Sequence, residues 1–479
     1  MPRPLLLWFR QDLRLHDNPA LQAALADTGR IIPIYIHDDN TAWSPGAASC
    51  WWLHHSLTTL AETLKQLGSR LIIRCGDSTQ VLQQLIDETG ADAVYCNRIY
   101  EPARLKQDIQ LHRQLKERGI NFSVYQGNLL REPDTVMNLS GQPYKVFTPF
   151  YKCYLREGWD HQTYNRPKQL PGVSTWIKSD KLADLELLPK IKWDHGFYEH
   201  WQPGEAGAWK QLRRFLRNDL ADYHQARDIP SLQGTSRLSP HLHFGEISVR
   251  AILAELDRKN LRRQGEGFIR ELIWRDFAHS VLFHFPHTTD KPFDERFNHF
   301  KWKTSKKLRQ AWQQGRTGYP IIDAGMRELW HTGTMHNRVR MIVASFLTKN
   351  GMIHWKEGAK WFWDTLVDAD LAANSMNWQW VAGCGVDAAP YFRIFNPVTQ
   401  SQKFDKQGLY IRQWVPELAD LPNKHLHEPW KAPEEVQKEA GCIIGKNYPK
   451  PILDLKATRE AALEAYKKQI SGKAQENVR

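Results

Sequence analysis

Over the first ~125 residues, short apolar runs alternate with stretches whose apolar positions recur every three or four residues. The runs at 4–9, 31–36, 71–75, 93–96 and 121–125 are predominantly apolar and bounded by turn residues, which predicts buried strands. In the clearest helical stretch, Leu53, Leu57, Leu60, Leu64 and Leu67 share one face and Gly68 ends it. Pro102 opens another helix and Gly119 closes it. Strand and helix in alternation predict a parallel five-stranded sheet covered on both faces, an α/β domain over 1–130.

From 131 to 204 the pattern breaks up among prolines and glycines, as in a connector carrying short helices. From Glu205 to about Gln469 the periodicity is helical, with Trp209, Leu212, Leu216 and Leu220 as one example. The expected second domain, 205–479, is therefore mostly α, ending in a polar tail at 470–479.

Composition narrows the class. With 41% hydrophobic and 25% charged residues the chain has the balance of a globular protein. No apolar run approaches the ~18 residues of a membrane span, and the run ending at Phe9 is too short for a secretory signal. The expected location is the cytoplasm and the expected state a monomer. Lys plus Arg exceed Asp plus Glu by 65 − 53 = 12, an excess that suits a nucleic-acid partner or serves as plain solubility charge. Six cysteines without a C-x-x-C pair fit a reducing compartment and offer no metal pattern. Twenty tryptophans exceed what one core asks for and invite a search for stacking or electron-transfer roles.

The candidate chemistry lies in four segments of the helical half. Gly234 to Pro240 places Thr235, Ser236, Arg237 and Ser239 before a first-turn proline, a capped loop that can also hold a phosphate or pyrophosphate. Glu271 and Trp274 share a helical face from which Arg275 is turned, a pairing that can stack on a base and bond its edge, or simply serve the core. Asn337 and Met341 share a face in a segment that also carries Arg338 and Arg340. Asn374 and Trp378 are neighbours on another helix, with Trp380 turned ~200° away toward a different partner. Gly383-Cys384-Gly385 matches a relaxed dinucleotide fingerprint, but no βαβ unit surrounds it. His241, His243, His284 and His287 lack a metal-ligand set and read as structural.

Taken in order, from Trp8-Phe9-Arg10-Gln11-Asp12-Leu13-Arg14 through Asp387-Ala388-Ala389-Pro390-Tyr391-Phe392-Arg393-Ile394-Phe395-Asn396-Pro397 to Arg412-Gln413-Trp414, these segments resemble the photolyase/cryptochrome family, and within it the bacterial cyclobutane pyrimidine dimer photolyases. Residues 46–53 are similar to the class III branch, close to plant cryptochromes. The resemblance implies an N-terminal α/β domain and a helical domain holding FAD. Tyr223, Thr235, Ser236, Arg237, Leu238, Ser239, Arg275, Asn337, Arg340, Asp368, Asp370 and Asn374 match its flavin positions, with Arg340 and Asp368 paired beside the ring. Glu271, Trp274, Asn337, Met341 and Trp380 match the pocket for a flipped-out dimer, and Arg227, Arg338 and Gln400 match DNA contacts. Trp378, Trp355 and Trp302 look like the family's electron relay. The implied activity is light-driven dimer repair by electron transfer from reduced, anionic FAD.

Three features bear on detail. Ala103-Arg104 stands where folate-binding photolyases carry Asn-Glu, so the expected antenna, methenyltetrahydrofolate, follows the class III arrangement instead. Asn374, an amide, cannot act as the carboxylic proton donor of plant cryptochromes, which weighs against a blue-light receptor. His336-Asn337 in place of a His-His pair weighs against a (6-4) photolyase.

Overall fold

Strands β1 (Leu5–Phe9), β2 (Ile31–His37), β3 (Ile72–Cys75), β4 (Ala93–Asn97) and β5 (Asn121–Tyr125) form one sheet in the order β3-β2-β1-β4-β5, with every pair parallel. This is a computed structural model, and it describes residues 3–471 apart from 28, 29, 41, 171, 174, 175 and 389. Leu5 lies opposite both Ile31 and Ala93, so β1 runs down the middle. Its side chains alternate: Leu5, Leu7 and Phe9 enter one core, Leu6 and Trp8 the other. Helices Pro19–Asp27, Ala47–Gln66, Ser78–Thr89 and Pro102–Glu117 join the strands. Strand ends differ from the sequence reading by a residue or so: Pro4 and Leu71 fall just outside, His37 and Asn97 inside. In the leucine-rich helix Leu53, Leu57, Leu60 and Leu64 are buried, while Leu67 is the half-buried cap residue before Gly68, whose φ of 87 turns the chain out.

The segment 131–204 does not lie between two separate cores. Val136, Phe147, Phe150 and Tyr154 enter the core of the helical half, whereas Leu170, Leu185, Leu187 and Phe197 complete the core on one face of the sheet. Helices Phe147–Glu157 and His195–His200 are its short helices. Leu220, read as part of the periodic face with Trp209, lies just beyond helix Glu205–Asn218 but is still buried. The tail expected at 470–479 lies almost wholly outside the described residues.

The two halves are joined by polar contacts at the carboxyl end of β1. Leu13 N–H donates to the Phe244 carbonyl at 3.0 Å, and the buried Arg14 guanidinium donates to the Gly245 carbonyl at 2.9 Å. Glu205 accepts the Leu15 and His16 N–H groups at 2.9 and 3.0 Å. Gly245 has φ 63, and a Cβ there would strike the backbone of Gln11 and Asp12. Among the described residues no helix is long and apolar enough to cross a membrane.

Candidate functional site

Within the helical half, several segments line a cavity of about 470 Å³. Its walls come from the loop before helix Ser239–His243, from helices Glu266–His284, Asn337–Ser345 and Leu371–Ala382, and from the loop that carries Asp368 and Asp370. Glu271, Trp274, Asn337, Met341, Asn374 and Trp380, far apart in sequence, all line it.

Helix Glu266–His284 is buried over most of its length between neighbours, and one stripe of it reaches the cavity. On that stripe the Trp274 indole lies flat on Phe147, with ring centroids 3.6 Å apart and planes 9° apart. Glu271 accepts from the Arg227 guanidinium at 2.7 Å. Arg275 also faces the cavity and is held from behind, donating to the Asn128 carbonyl at 2.8 Å.

Arg340 is fixed at its Nε by the Met335 carbonyl at 2.7 Å, and its outer nitrogen spans both Asp368 oxygens at 3.0 and 3.1 Å. The expected pair is present, and Ser239 Oγ–H completes it by donating to Asp368 at 2.6 Å. The serine is therefore not the cap of the short helix that follows; Leu238 occupies that position.

The loop at 234–239 alternates its side chains. Ser236 and Ser239 line the cavity. Leu238 is a core residue, Arg237 lies over the Trp201 ring at 4.4 Å, and the Thr235 carbonyl accepts from Arg214. Of this run, the two serines carry the side chains that reach the cavity wall.

Asp370 caps helix Leu371–Ala382 by accepting the Ala373 N–H at 2.8 Å. Burial acts to raise its carboxyl, but His279, His243 and Arg275 outweigh it and hold Asp370 well below the usual carboxylate range. His243 and His279 stand 3.4 and 3.5 Å from Asp370. Along the same helix Asn374, Trp378 and Trp380 all line the cavity although Trp380 is turned away from Trp378, because the cavity wraps round the helix. Asn374 donates its amide N–H to the Ala359 carbonyl at 3.0 Å, which sets the orientation of the amide.

The three relay candidates share one core, with Trp302 at its margin. Trp378 is packed by Phe362 and Trp312, with centroids at 5.0 and 6.2 Å. Trp355 is buried, Trp302 is partly exposed, and both flank the His354 ring, at 5.5 and 5.3 Å.

The candidates for DNA contact lie outside the cavity wall, and two of them are engaged. Arg227 pairs with Glu271, and Arg338 pairs with Asp228 at 2.7 Å while covering the Phe404 ring at 4.5 Å. Gln400 is half-buried on helix Pro397–Phe404. Sequence reasoning missed Phe147, Asp228 and the cavity-lining His243 and Phe362; only His243 left a signal, in its spacing from His241. Gly383, in the relaxed fingerprint, has φ 83 and ends a helix where a nucleotide loop would open one. Among the described residues no group of three His, Cys, Asp or Glu side chains could hold a metal ion.

Residues 5–169 match the family described as DNA photolyase, and residues 268–468 match the FAD binding domain of DNA photolyase. The chain is 47% identical to a deoxyribodipyrimidine photo-lyase of Agrobacterium fabrum, over 97% of each chain. It is 38% identical to cryptochrome-2 of Arabidopsis thaliana, over 97% of this chain and 79% of the relative. A bacterial class III photolyase from Agrobacterium tumefaciens superposes with a TM-score of 0.93, covering 97% of both chains.

Proposed function

On the premise that the chain belongs to the DNA photolyase family, we propose that its activity is the light-driven repair of cyclobutane pyrimidine dimers in DNA, carried out in the 470 Å³ cavity with FAD. The observation that carries this reading is the meeting, in one cavity, of a stacking face (Trp274), a carboxylate (Glu271) and the Arg340–Asp368 pair.

The cavity residues fit the cofactor. Ser236 offers its hydroxyl to the diphosphate and Arg275 adds positive charge, while Arg340 and Asp368, the latter held by Ser239 on the same wall, form a dipolar edge for the ring. Thr235, Arg237 and Leu238 support that loop from outside, the leucine through its backbone N–H. Tyr223, Asn337, Asp370 and Asn374 complete the wall. Asn374 offers no acidic proton, which suits a cofactor kept reduced and anionic. When bound, reduced FAD supplies the photochemistry, one-electron donation to the dimer and recovery of that electron after the ring splits.

The chain's own residues do the rest. Trp274 and Trp380 stack on the extruded bases and exclude water, Met341 fills the space beside them, and Glu271 and Asn337 bond their edges. A dimer pairs and stacks poorly, so its extrusion costs less than that of an intact base. Arg338 and Gln400 stand outside this wall for the flanking strand, and Arg227 orients Glu271. Trp378, Trp355 and Trp302 form the path by which the cofactor is reduced. The division into 1–130, 131–204 and 205–479 is retained, with the middle segment shared between two cores.

The second chromophore is assigned to methenyltetrahydrofolate at the Trp330–Trp361 pair. These rings are parallel within 7° with centroids 6.1 Å apart, beside a cavity of about 280 Å³ lined by Trp361, Arg309 and Lys360. A planar pterin stacked on both faces needs about 7 Å between the rings, a small opening from here. Trp330 is 52% exposed and free to give way. Ala47 N–H, within the class III segment, bonds Asp364 on the same cavity at 3.0 Å.

The test of the activity is a thymine-dimer oligonucleotide incubated with reduced protein, in light and in darkness. Recovery of intact thymines in light alone is expected; absence of repair would favour a blue-light receptor.

A further inference from the structure

Glu328 lies one layer behind the cavity and plays no part in the account above. It sits on helix Pro320–Thr332, and its Oε2 accepts the Tyr410 O–H at 2.5 Å and the His336 backbone N–H at 3.2 Å. His336 is the cap of helix Asn337–Ser345, its Nδ1 accepting the Arg338 N–H at 3.2 Å. That helix presents Asn337, Arg340 and Met341 to the cavity. One carboxylate thus ties helix Pro320–Thr332 and helix Leu409–Trp414 to the first turn of the helix that meets the substrate.

We propose that Glu328 is a positioning residue for lesion binding: it fixes the start of helix Asn337–Ser345 and makes affinity for the dimer depend on pH near neutrality. The proposal rests on the substrate reading given above.

The groups that face Glu328 are Tyr410, His336, Arg340 and Arg237, with Asp405 behind the tyrosine. Burial pushes the Glu328 carboxyl up to about 7, against the hydrogen bonds from Tyr410 and His336 and the attraction of the two arginines. Burial and the neighbouring Glu328 hold the Tyr410 phenol well above its usual range, so it remains a donor. Burial pushes His336 down to about 4, so it remains a neutral acceptor. Within this cluster Glu328 is the group that changes charge near neutrality. DNA phosphates brought to the start of the helix add negative potential and favour the neutral acid. Binding then takes up protons, and affinity falls as pH rises through that range.

Glu328→Gln keeps an acceptor oxygen for both donors but cannot titrate; Glu328→Ala removes the tie. Dark binding of a thymine-dimer duplex is followed by fluorescence anisotropy from about pH 6 to about pH 8.5, with the melting temperature of each protein over about pH 5 to pH 8. Wild-type affinity is expected to weaken about fivefold across the range while Glu328→Gln changes less than about twofold. Glu328→Ala is expected to bind more weakly at every pH. A Glu328→Gln profile that follows wild type overturns the proposal. If wild type has no affinity for the dimer at any pH, it is the substrate reading that fails, and the melting temperatures still decide this one. Because the folded pKa lies above the free value, wild type should lose stability relative to Glu328→Gln as pH rises from about 5 to about 7. Parallel melting curves overturn it.

Discussion

The ring of Trp274 rests on that of Phe147 at 3.6 Å, almost parallel, although Phe147 belongs to a helix within the 131–204 connector and Trp274 to the helical half beyond it. One face of the indole is thereby occupied, and Trp274 meets the cavity with its orientation already set. Such a platform loses little freedom when a base stacks on it.

Trp274→Ala should therefore weaken binding to dimer-containing DNA by about 1–3 kcal/mol while leaving undamaged DNA nearly unchanged. Phe147→Ala should give a smaller loss in the same direction, because the indole stays but is no longer held flat. Competition binding with damaged and intact duplexes measures both. Equal losses on the two duplexes would remove the stacking role.

Arg227 makes a different prediction from a phosphate-binding arginine. Its guanidinium is bound to Glu271 at 2.7 Å and lies 5.3 Å from the Tyr223 ring centroid. Arg227→Ala should cost discrimination for the lesion and leave the slope of log affinity against log salt unaltered. Loss of a true phosphate contact would reduce that slope by about 0.9. Binding measured over a salt series separates the two.

Trp302→Phe should abolish photoreduction of the oxidised cofactor in the presence of an external donor yet spare repair by protein reduced beforehand. Trp302 is the partly exposed member of its set, from which a hole can reach solvent. Absorption changes under blue light, with repair assayed separately, provide the check; unimpaired photoreduction would take Trp302 out of the path.

Asp276 links helix Glu266–His284 to the connector, accepting the Leu130 N–H at 2.8 Å and the Tyr154 O–H at 3.1 Å. Burial pushes its carboxyl up to about 6, against Arg275 and these hydrogen bonds. Its folded pKa exceeds the unfolded one, so the stability it contributes is complete below about pH 4 and is lost as pH rises to about 6. Asp276→Asn should gain on wild type by up to about 3 kcal/mol over that window, read as melting temperature against pH. A constant difference across the window would contradict the assignment.

The α/β half was legible because its signals are local. Runs such as 31–36 are continuously apolar since both faces of a parallel sheet are covered, and Gly68 and Gly119 mark helix ends through backbone conformations that glycine adopts without strain. In the helical half the site residues could be proposed only in small helical sets such as Glu271 with Trp274. That Trp378 and Trp380 share one cavity was not legible, since helical periodicity gives angles around an axis and says nothing of how far a cavity extends round it.

By itself the order of residues determined the strands, the helix ends, the family likeness and the types of group available for chemistry. All of these depend on neighbours within a few turns or on matching motifs. Only the tertiary structure decided that Phe147 backs Trp274, that Glu271 consumes Arg227, that Asp368 joins Ser239 to Arg340 and that Glu328 anchors the helix of Asn337. Apart from the short span between Glu328 and His336, each of these contacts unites segments separated by many residues. Their geometry follows from how buried helices pack and how buried charges find partners, and no local pattern encodes either.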